Sequence, residues 1–175
     1  MAQTAVIVRE AHPEELEAIG GLYERSWAEF AEAVGQDTWR RMRANFSKLA
    51  ERAAYSEILV AERGGAIAGA VTYTGPDTRP VEPLGPLRLI PRHWAYVGIL
   101  AVAPEHRGLG LGRALTASCV ERARRDGAPA IGLGTRSPMA AAQRLYDRMG
   151  FRRRRDLEEG QAEYLVYELP LTEAL

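Results

Sequence analysis

Leu100-Ala-Val-Ala-Pro-Glu-His-Arg-Gly-Leu-Gly-Leu-Gly-Arg113 is the stretch that decides how this chain is read. The apolar run from Tyr96 to Val102 reads as a buried strand. The chain then passes Pro104 and meets glycines at alternate positions, Gly108, Gly110 and Gly112. A helix opens at about Leu111 to Ala114. Glycines at such a junction let backbone N–H groups point outward with no side chain in the way. The helix start adds N–H donors without intrahelical partners and the positive end of a dipole. Together they make an anion site that suits a pyrophosphate, flanked by the charges of Arg107 and Arg113.

Two familiar phosphate-binding patterns do not fit. A mononucleotide loop closes on Gly-Lys-Ser/Thr, whereas Gly112 is followed by Arg113-Ala114. A dinucleotide turn needs Gly-x-Gly-x-x-Gly; counted from Gly108 the last position is Arg113, and from Gly110 it is Leu115. For the loop alone, a tight strand-to-helix turn with no ligand stays open.

The order Leu100, Val102, Pro104, Arg107, Gly108, Gly110, Gly112 resembles the acetyl-CoA-binding motif of the GNAT superfamily of N-acetyltransferases. A second motif of that family, Asn-x-x-Ala-x-x-Leu-Tyr-x-x-x-Gly-Phe, is met downstream by Ala142, Leu145, Tyr146, Gly150 and Phe151, with Met139 where the asparagine stands. The resemblance covers about residues 5 to 170 and is strongest from 96 to 152. It implies a mixed α/β fold with a mostly antiparallel central sheet flanked by helices, and acetyl-CoA in a cleft between splayed central strands. It also implies a single N-acetyltransferase domain over 1–175 that passes an acetyl group from acetyl-CoA to a primary amine of a small-molecule or peptide acceptor by direct attack in a ternary complex.

Carried over residue by residue, the resemblance gives the backbone of Leu100, Ala101 and Val102 to the pantetheine arm, which would bond it like an added strand. The pyrophosphate falls to Arg107, Gly108, Leu109, Gly110, Leu111, Gly112 and Arg113. Ala142 and Tyr146 of the last helix complete the donor site, with the Tyr146 hydroxyl near the thioester sulfur. A phenol with a pKa of about 10 can give a proton to a departing thiolate whose thiol has a pKa of about 8.5. The acceptor amine must first lose a proton, at a cost of roughly 4.6 kcal/mol for a lysine-like amine at pH 7. Many relatives carry an acid for this two positions before Leu100, where this chain has Gly98. Glu24, Glu29, His93 and Tyr96 are the remaining candidates for a base. An α-amine, with its lower pKa of about 8, needs less help. Met139 in place of the family asparagine removes one polar contact to the donor, which Ser137 or Thr135 could replace. A non-catalytic acyl-CoA sensor or interaction module is the alternative, motivated by the missing strand carboxylate.

Composition agrees with a compact enzyme. The 175 residues suffice for one domain with a real core. Twenty-three basic and 23 acidic residues cancel, which argues against nucleic acid or an anionic membrane as partner. The single cysteine, Cys119, excludes an internal disulfide framework and reads as a buried structural thiol. No metal-ligand spacing is present. There is no basic-then-apolar start and no apolar run long enough to span a bilayer, so a cytoplasmic protein is expected, with a homodimer open.

The rest of the chain supplies the frame. Val6 to Arg9 reads as a strand, followed by a helix from Pro13 with Leu16, Ile19, Tyr23 and Trp27 on its core face. A second helix is expected from Thr38, as N-cap, to Ala53. Glu57 to Glu62 and Ala66 to Thr74 form a hairpin about Gly64-Gly65. The proline-rich stretch Gly75 to Pro91 is too long for a tight connection. A helix from Gly112 to Asp126, a strand from Ala130 to Thr135, a last helix capped by Ser137, and a hairpin of Phe151–Asp156 with Tyr164–Leu169 complete the chain. The aromatics Trp27, Phe30 and Trp39 and the acids Glu29, Glu32 and Asp37 either border a cationic acceptor or are core and solvated face.

Overall fold

The computed structural model describes residues 4–83 and 85–172; the ends of the expected 1–175 domain and Leu84 of the 75–91 loop lie outside them. The elements are β1 (Val6–Glu10), α1 (Leu16–Trp27), α2 (Ala31–Val34), α3 (Gln36–Phe46), α4 (Leu49–Arg52), β2 (Glu57–Arg63), β3 (Ala66–Thr74), β4 (Ala95–Val102), α5 (Leu111–Arg125), β5 (Ala130–Thr135), α6 (Ala140–Arg148), β6 (Arg152–Arg153) and β7 (Leu165–Pro170). The strands lie in the order β1-β2-β3-β4-β5-β7-β6. β1 pairs antiparallel with β2, and β7 antiparallel with both β5 and β6, while β4 runs parallel to β5 over Ala95–Val97. This is the mixed, mostly antiparallel sheet with flanking helices that the sequence implied.

The chain forms two compact units, Met1–Thr72 with Ile99–Thr116, and Tyr73–Gly98 with Ala117–Leu175. The change from one to the other inside β4 falls between Gly98 and Ile99, and Ile99 has φ 24°. A β-branched residue at positive φ is a genuine outlier, held only where its surroundings over-determine it.

In the first unit the core forms where α1 and α3 present their apolar faces. Ile19, Leu22 and Tyr23 of α1 and Met42 and Phe46 of α3 are buried, as are Ile58 to Ala61 of β2. Phe46 gathers three rings: Tyr23 and Trp27 at 5.7 Å each and Trp39 at 6.2 Å. Such pairs contribute about 0.5–1.5 kcal/mol each beyond area burial. Trp27 and Trp39 are therefore packing residues. The expected single helix from Thr38 to Ala53 is corrected in two ways. Gly35, at φ 87°, precedes α3, so the helix begins before Thr38 and has no side-chain cap. It then breaks at Ser47-Lys48, where the Ser47 hydroxyl donates to the Ala44 carbonyl at 2.7 Å and competes with the helical ladder.

In the second unit the proline-rich stretch is built onto β5. A Cβ at Gly134 would stand 2.2 Å from Pro86 Cβ, and one at Gly132 would press on Ile90 and Trp94 at 3.0–3.3 Å. The bare backbone of β5 thus receives the short 3₁₀ turn Gly85–Leu89. Arg79 staples the stretch from inside. Its guanidinium donates to the carbonyls of Leu87 (3.3 Å), Ile90 (2.7 Å) and Trp94 (2.7 Å) and is 4 % exposed. Burial lowers its pKa, and no carboxylate pairs with it among the described residues.

Two local expectations at the C-terminal end are corrected. α6 begins at Ala140 after Met139, with no side-chain cap from Ser137. The Arg136 carbonyl takes that role, accepting from Met139 N (3.0 Å) and Gln143 Nε2 (3.1 Å). β6 keeps only two residues, because Arg153 and Arg154 turn to Glu158, Asp156 and Glu168 and the chain winds into a 3₁₀ turn at Arg155–Glu158.

Gly134→Ala is expected to destabilise the protein by about 1–3 kcal/mol, since a proline ring cannot rotate away from the new methyl group. The midpoint of urea unfolding measures it; a loss below about 0.5 kcal/mol would show that Pro86 yields freely.

Candidate functional site

The glycine loop leaves β4 through a 3₁₀ turn at Pro104–His106 and enters α5 at Leu111. Gly108 and Gly110 have φ 74° and 83°, a conformation that any other residue adopts only with strain. A Cβ at either would meet nothing within 4 Å, so the space above the loop is open. Ala114 N reaches back to the Gly110 carbonyl at 3.0 Å, which fixes the first turn. The N–H groups of Leu111, Gly112 and Arg113 then lack intrahelical acceptors. Residues 107–110 and Arg113 are exposed, and Leu111 is buried beneath them. Arg113 makes no ion pair with a described residue. The residues present fit a pyrophosphate.

Arg107 faces α1. Its Nη2 donates to the Ser26 carbonyl at 2.8 Å, and its Nη1 pairs with Glu29 at 2.6 Å. The Trp27 indole N–H donates to the Leu100 carbonyl at 3.1 Å. Arg25 meets Glu105 at 3.4 Å. The end of α1 is therefore strapped along β4 and the loop. Leu100 and Val102 are half-buried and Ala101 is buried. Buried polar atoms of this unit without a hydrogen-bond partner among the described residues include Ser26 Oγ, Thr72 Oγ1 and His106 Nδ1. The sequence reading missed the Trp27 and Ser26 contacts. A tryptophan at helical spacing signals a core face, and nothing in sequence marks a backbone carbonyl as an acceptor.

Tyr146 lies in the second unit on α6, and its position explains the second motif. Gly150, at φ 89°, ends the helix. Phe151 N bonds the Tyr146 carbonyl at 3.0 Å and Gly150 N bonds that of Asp147 at 3.1 Å. This is the double bond pattern of a left-handed helix cap, and its usual apolar contact is the Tyr146–Phe151 ring pair at 5.7 Å. Tyr167 adds a third ring at 6.1 Å. Burial pushes the Tyr146 phenol well above its ordinary pKa, with smaller contributions from Tyr96 and Cys119. The phenol therefore stays protonated throughout the neutral range. Ala142, one turn earlier, is half-buried, and Met139 is buried with the Thr135 hydroxyl against its sulfur at 3.7 Å.

Of the candidate bases, Glu24 is paired with Arg43 at 2.8 Å and Glu29 with Arg107. His93 is exposed and packs edge-on to Trp94. Tyr96 is buried beside Tyr146. No group of three or more metal-ligating side chains exists among the described residues, and no described helix is long and apolar enough to cross a membrane.

The chain thus combines a mixed sheet with a glycine loop that opens one helix and a buried tyrosine on a glycine-capped helix. The profile of the acetyltransferase (GNAT) family matches residues 19–151, and the chain belongs to that family. It is 39% identical over 83 residues to N-alpha-acetyltransferase 30 of Saccharomyces cerevisiae, a match over 45% of this chain and 46% of that protein, so it spans about half the length of that relative. Among solved structures it is similar to the PaiA N-acetyltransferase of Thermoplasma acidophilum in complex with coenzyme A (TM-score 0.73, 15% identity, 95% and 99% of the two chains). It is also similar to YncA of Salmonella typhimurium with acetyl-CoA (TM-score 0.64, 20% identity, 98% and 97%).

The folded Tyr146 phenol ionises above the unfolded value of 10. Between those values the folded state holds a proton that the unfolded state has lost, so stability is complete below pH 10 and falls as pH rises past it. Tyr146→Phe is expected to flatten that fall, measured by urea unfolding on either side of pH 10; an unchanged slope would contradict the burial of the phenol.

Proposed function

We propose that this chain is an N-acetyltransferase: a single domain over residues 1–175, acting in the cytoplasm, that transfers an acetyl group from acetyl-CoA to a primary amine by direct attack in a ternary complex. The observation that carries the reading is the open cradle of Gly108 and Gly110 at the start of α5, in a chain of the GNAT family. The backbone of Leu100, Ala101 and Val102 holds the pantetheine arm. The backbone from Arg107 to Arg113 and the free guanidinium of Arg113 hold the pyrophosphate. Helix-end electrostatics supply about 0.3–1 kcal/mol per charge, so several hydrogen bonds must add to it. Ala142 packs on the donor.

Tyr146 acts as general acid. The amine nitrogen bonds to the thioester carbonyl carbon, the C–S bond breaks, and the phenol proton passes to the departing thiolate. Burial keeps the phenol protonated at neutral pH but makes it a weaker acid, so the proton moves only as negative charge builds on the departing sulfur. With Glu24 and Glu29 engaged in ion pairs, the acceptor delivers its proton to water, which favours an amine of low pKa.

Calorimetric titration with acetyl-CoA tests the donor site, with micromolar binding expected. Tyr146→Phe is expected to lower kcat by about 10²–10⁴ with little change in acetyl-CoA affinity. Binding without turnover of any amine would establish the alternative, a non-catalytic acyl-CoA module. A folded protein that does not bind would overturn the donor assignment.

A further inference from the structure

A second set of charged groups lies outside the donor site, at the C-terminal end of β5. Thr135 of β5 pairs with Leu165 of β7, which sets Arg136 and Tyr164 side by side just beyond the paired residues. The Arg136 guanidinium stacks on the Tyr164 ring at 4.5 Å, donates to the Tyr164 hydroxyl at 3.1 Å and pairs with Glu163 at 2.9 Å. A second guanidinium, that of Arg88, stands 5.9 Å from the same ring. Arg88 is exposed and makes no ion pair with any described residue.

What separates Arg88 from an ordinary surface arginine is the rigidity of its backbone. Two residues before it, Pro86 sits in the space that Gly134 leaves open. Leu87 is 1 % exposed, and the carbonyls of Leu87 and Ile90 are both bonded to the buried Arg79. A buried arginine and a proline thus fix a short turn whose one unpaired charge stands beside an aromatic ring. Donors held in place before a ligand arrives lose less freedom on binding.

The position also suits a substrate. Ligands of α/β sheets sit outside the carboxyl ends of parallel strands, and β5 is parallel to β4. Arg136, which stacks on Tyr164, also anchors the start of α6 through its carbonyl, and α6 carries Tyr146. Of the acids near the first helices, Glu29 is engaged with Arg107, Asp37 with Arg40 and Glu24 with Arg43, whereas Glu32 is exposed with no ion pair to a described residue.

We infer that Arg88, with Tyr164 and Arg136 behind it, forms the subsite that recognises a carboxylate on a small amine acceptor. Arg136 is paired with Glu163, so Arg88, beside the same ring, brings one positive charge in excess. That excess matches a single carboxylate better than a phosphate dianion. A planar guanidinium also offers two parallel N–H donors to the two carboxylate oxygens. Arg88 is then a specificity-determining residue that touches the acceptor, and Arg136 and Tyr164 position it. The acceptor class becomes amino acids and related amino carboxylates.

This inference rests on the acetyltransferase reading. Its test is the acetylation of L-amino acids against their matched α-carboxamides, with acetyl-CoA as donor, by the wild type, Arg88→Gln and Arg88→Lys. The carboxylates are expected to be preferred over the amides by about ten- to a hundredfold in kcat/KM, the range of a hydrogen bond to a charged group. Arg88→Gln should abolish that preference by raising KM for the carboxylates while kcat is kept, and Arg88→Lys should restore part of it. Equal use of carboxylates and amides, or a loss in Arg88→Gln shared by both, overturns the inference. So does acetyl-CoA binding with no amino acid acetylated, which leaves the donor site standing and points to another amine. Absence of acetyl-CoA binding in the wild type would instead remove the acetyltransferase reading, and the inference with it.

Discussion

The rest of the structure depends on a change of backbone in the middle of one strand. Up to Gly98, β4 is buried and runs beside β5; from Ile99, at φ 24°, the same strand belongs with α1 and the glycine loop. A β-branched side chain does not take that conformation by preference. Just beyond it the Leu100 carbonyl accepts from the Trp27 indole, and Val102 delivers the chain to the loop half-buried. Strain of this kind, of order 1–3 kcal/mol, is commonly found at functional sites.

Arginine does three different jobs in this chain. Arg79 is interior scaffolding, satisfying three carbonyls that a long loop would otherwise leave unpaired. Arg107 is a strap, tied to a helix-end carbonyl and a carboxylate. Arg113 and Arg88 keep their charge available at the surface. The planar fork explains the range, since it can bond several carbonyls at once or offer paired donors to one oxyanion. Burial of Arg79 without a carboxylate is tolerated because each accepting carbonyl contributes a dipole, although its Nε remains unpartnered.

Two glycine-dependent motifs turned out to have separate physical causes. In the loop that opens α5, glycine is required by the sign of φ and leaves open space above the chain. On β5, Gly132 and Gly134 are required by close approach, because other side chains already occupy the positions their Cβ atoms would take. The first leaves open space above the chain; the second seats the proline-rich stretch on β5. The motif Tyr146-x-x-x-Gly150-Phe151 is different again, a helix cap whose apolar clasp includes the tyrosine proposed to carry the proton.

The sequence by itself determined the order of the strands, the loop that opens α5 and the place of Tyr146 on α6, because each is written in local periodicity or in glycine spacing, but it indicated two helices before β2 where the structure has α1 to α4. It could not place helix starts that depend on a carbonyl from elsewhere, as at Arg136, or the break at Ser47-Lys48, where a hydroxyl competes for the ladder. Nor could it show that the proline-rich stretch is pinned by Arg79, or that Arg88, Arg136 and Tyr164 gather about one ring. Those residues lie far apart along the chain and carry no periodic signal. Whether an arginine is buried, strapped or free is decided by which partners the fold brings within 3 Å or so, a distance that hydrogen bonding requires and sequence spacing does not encode.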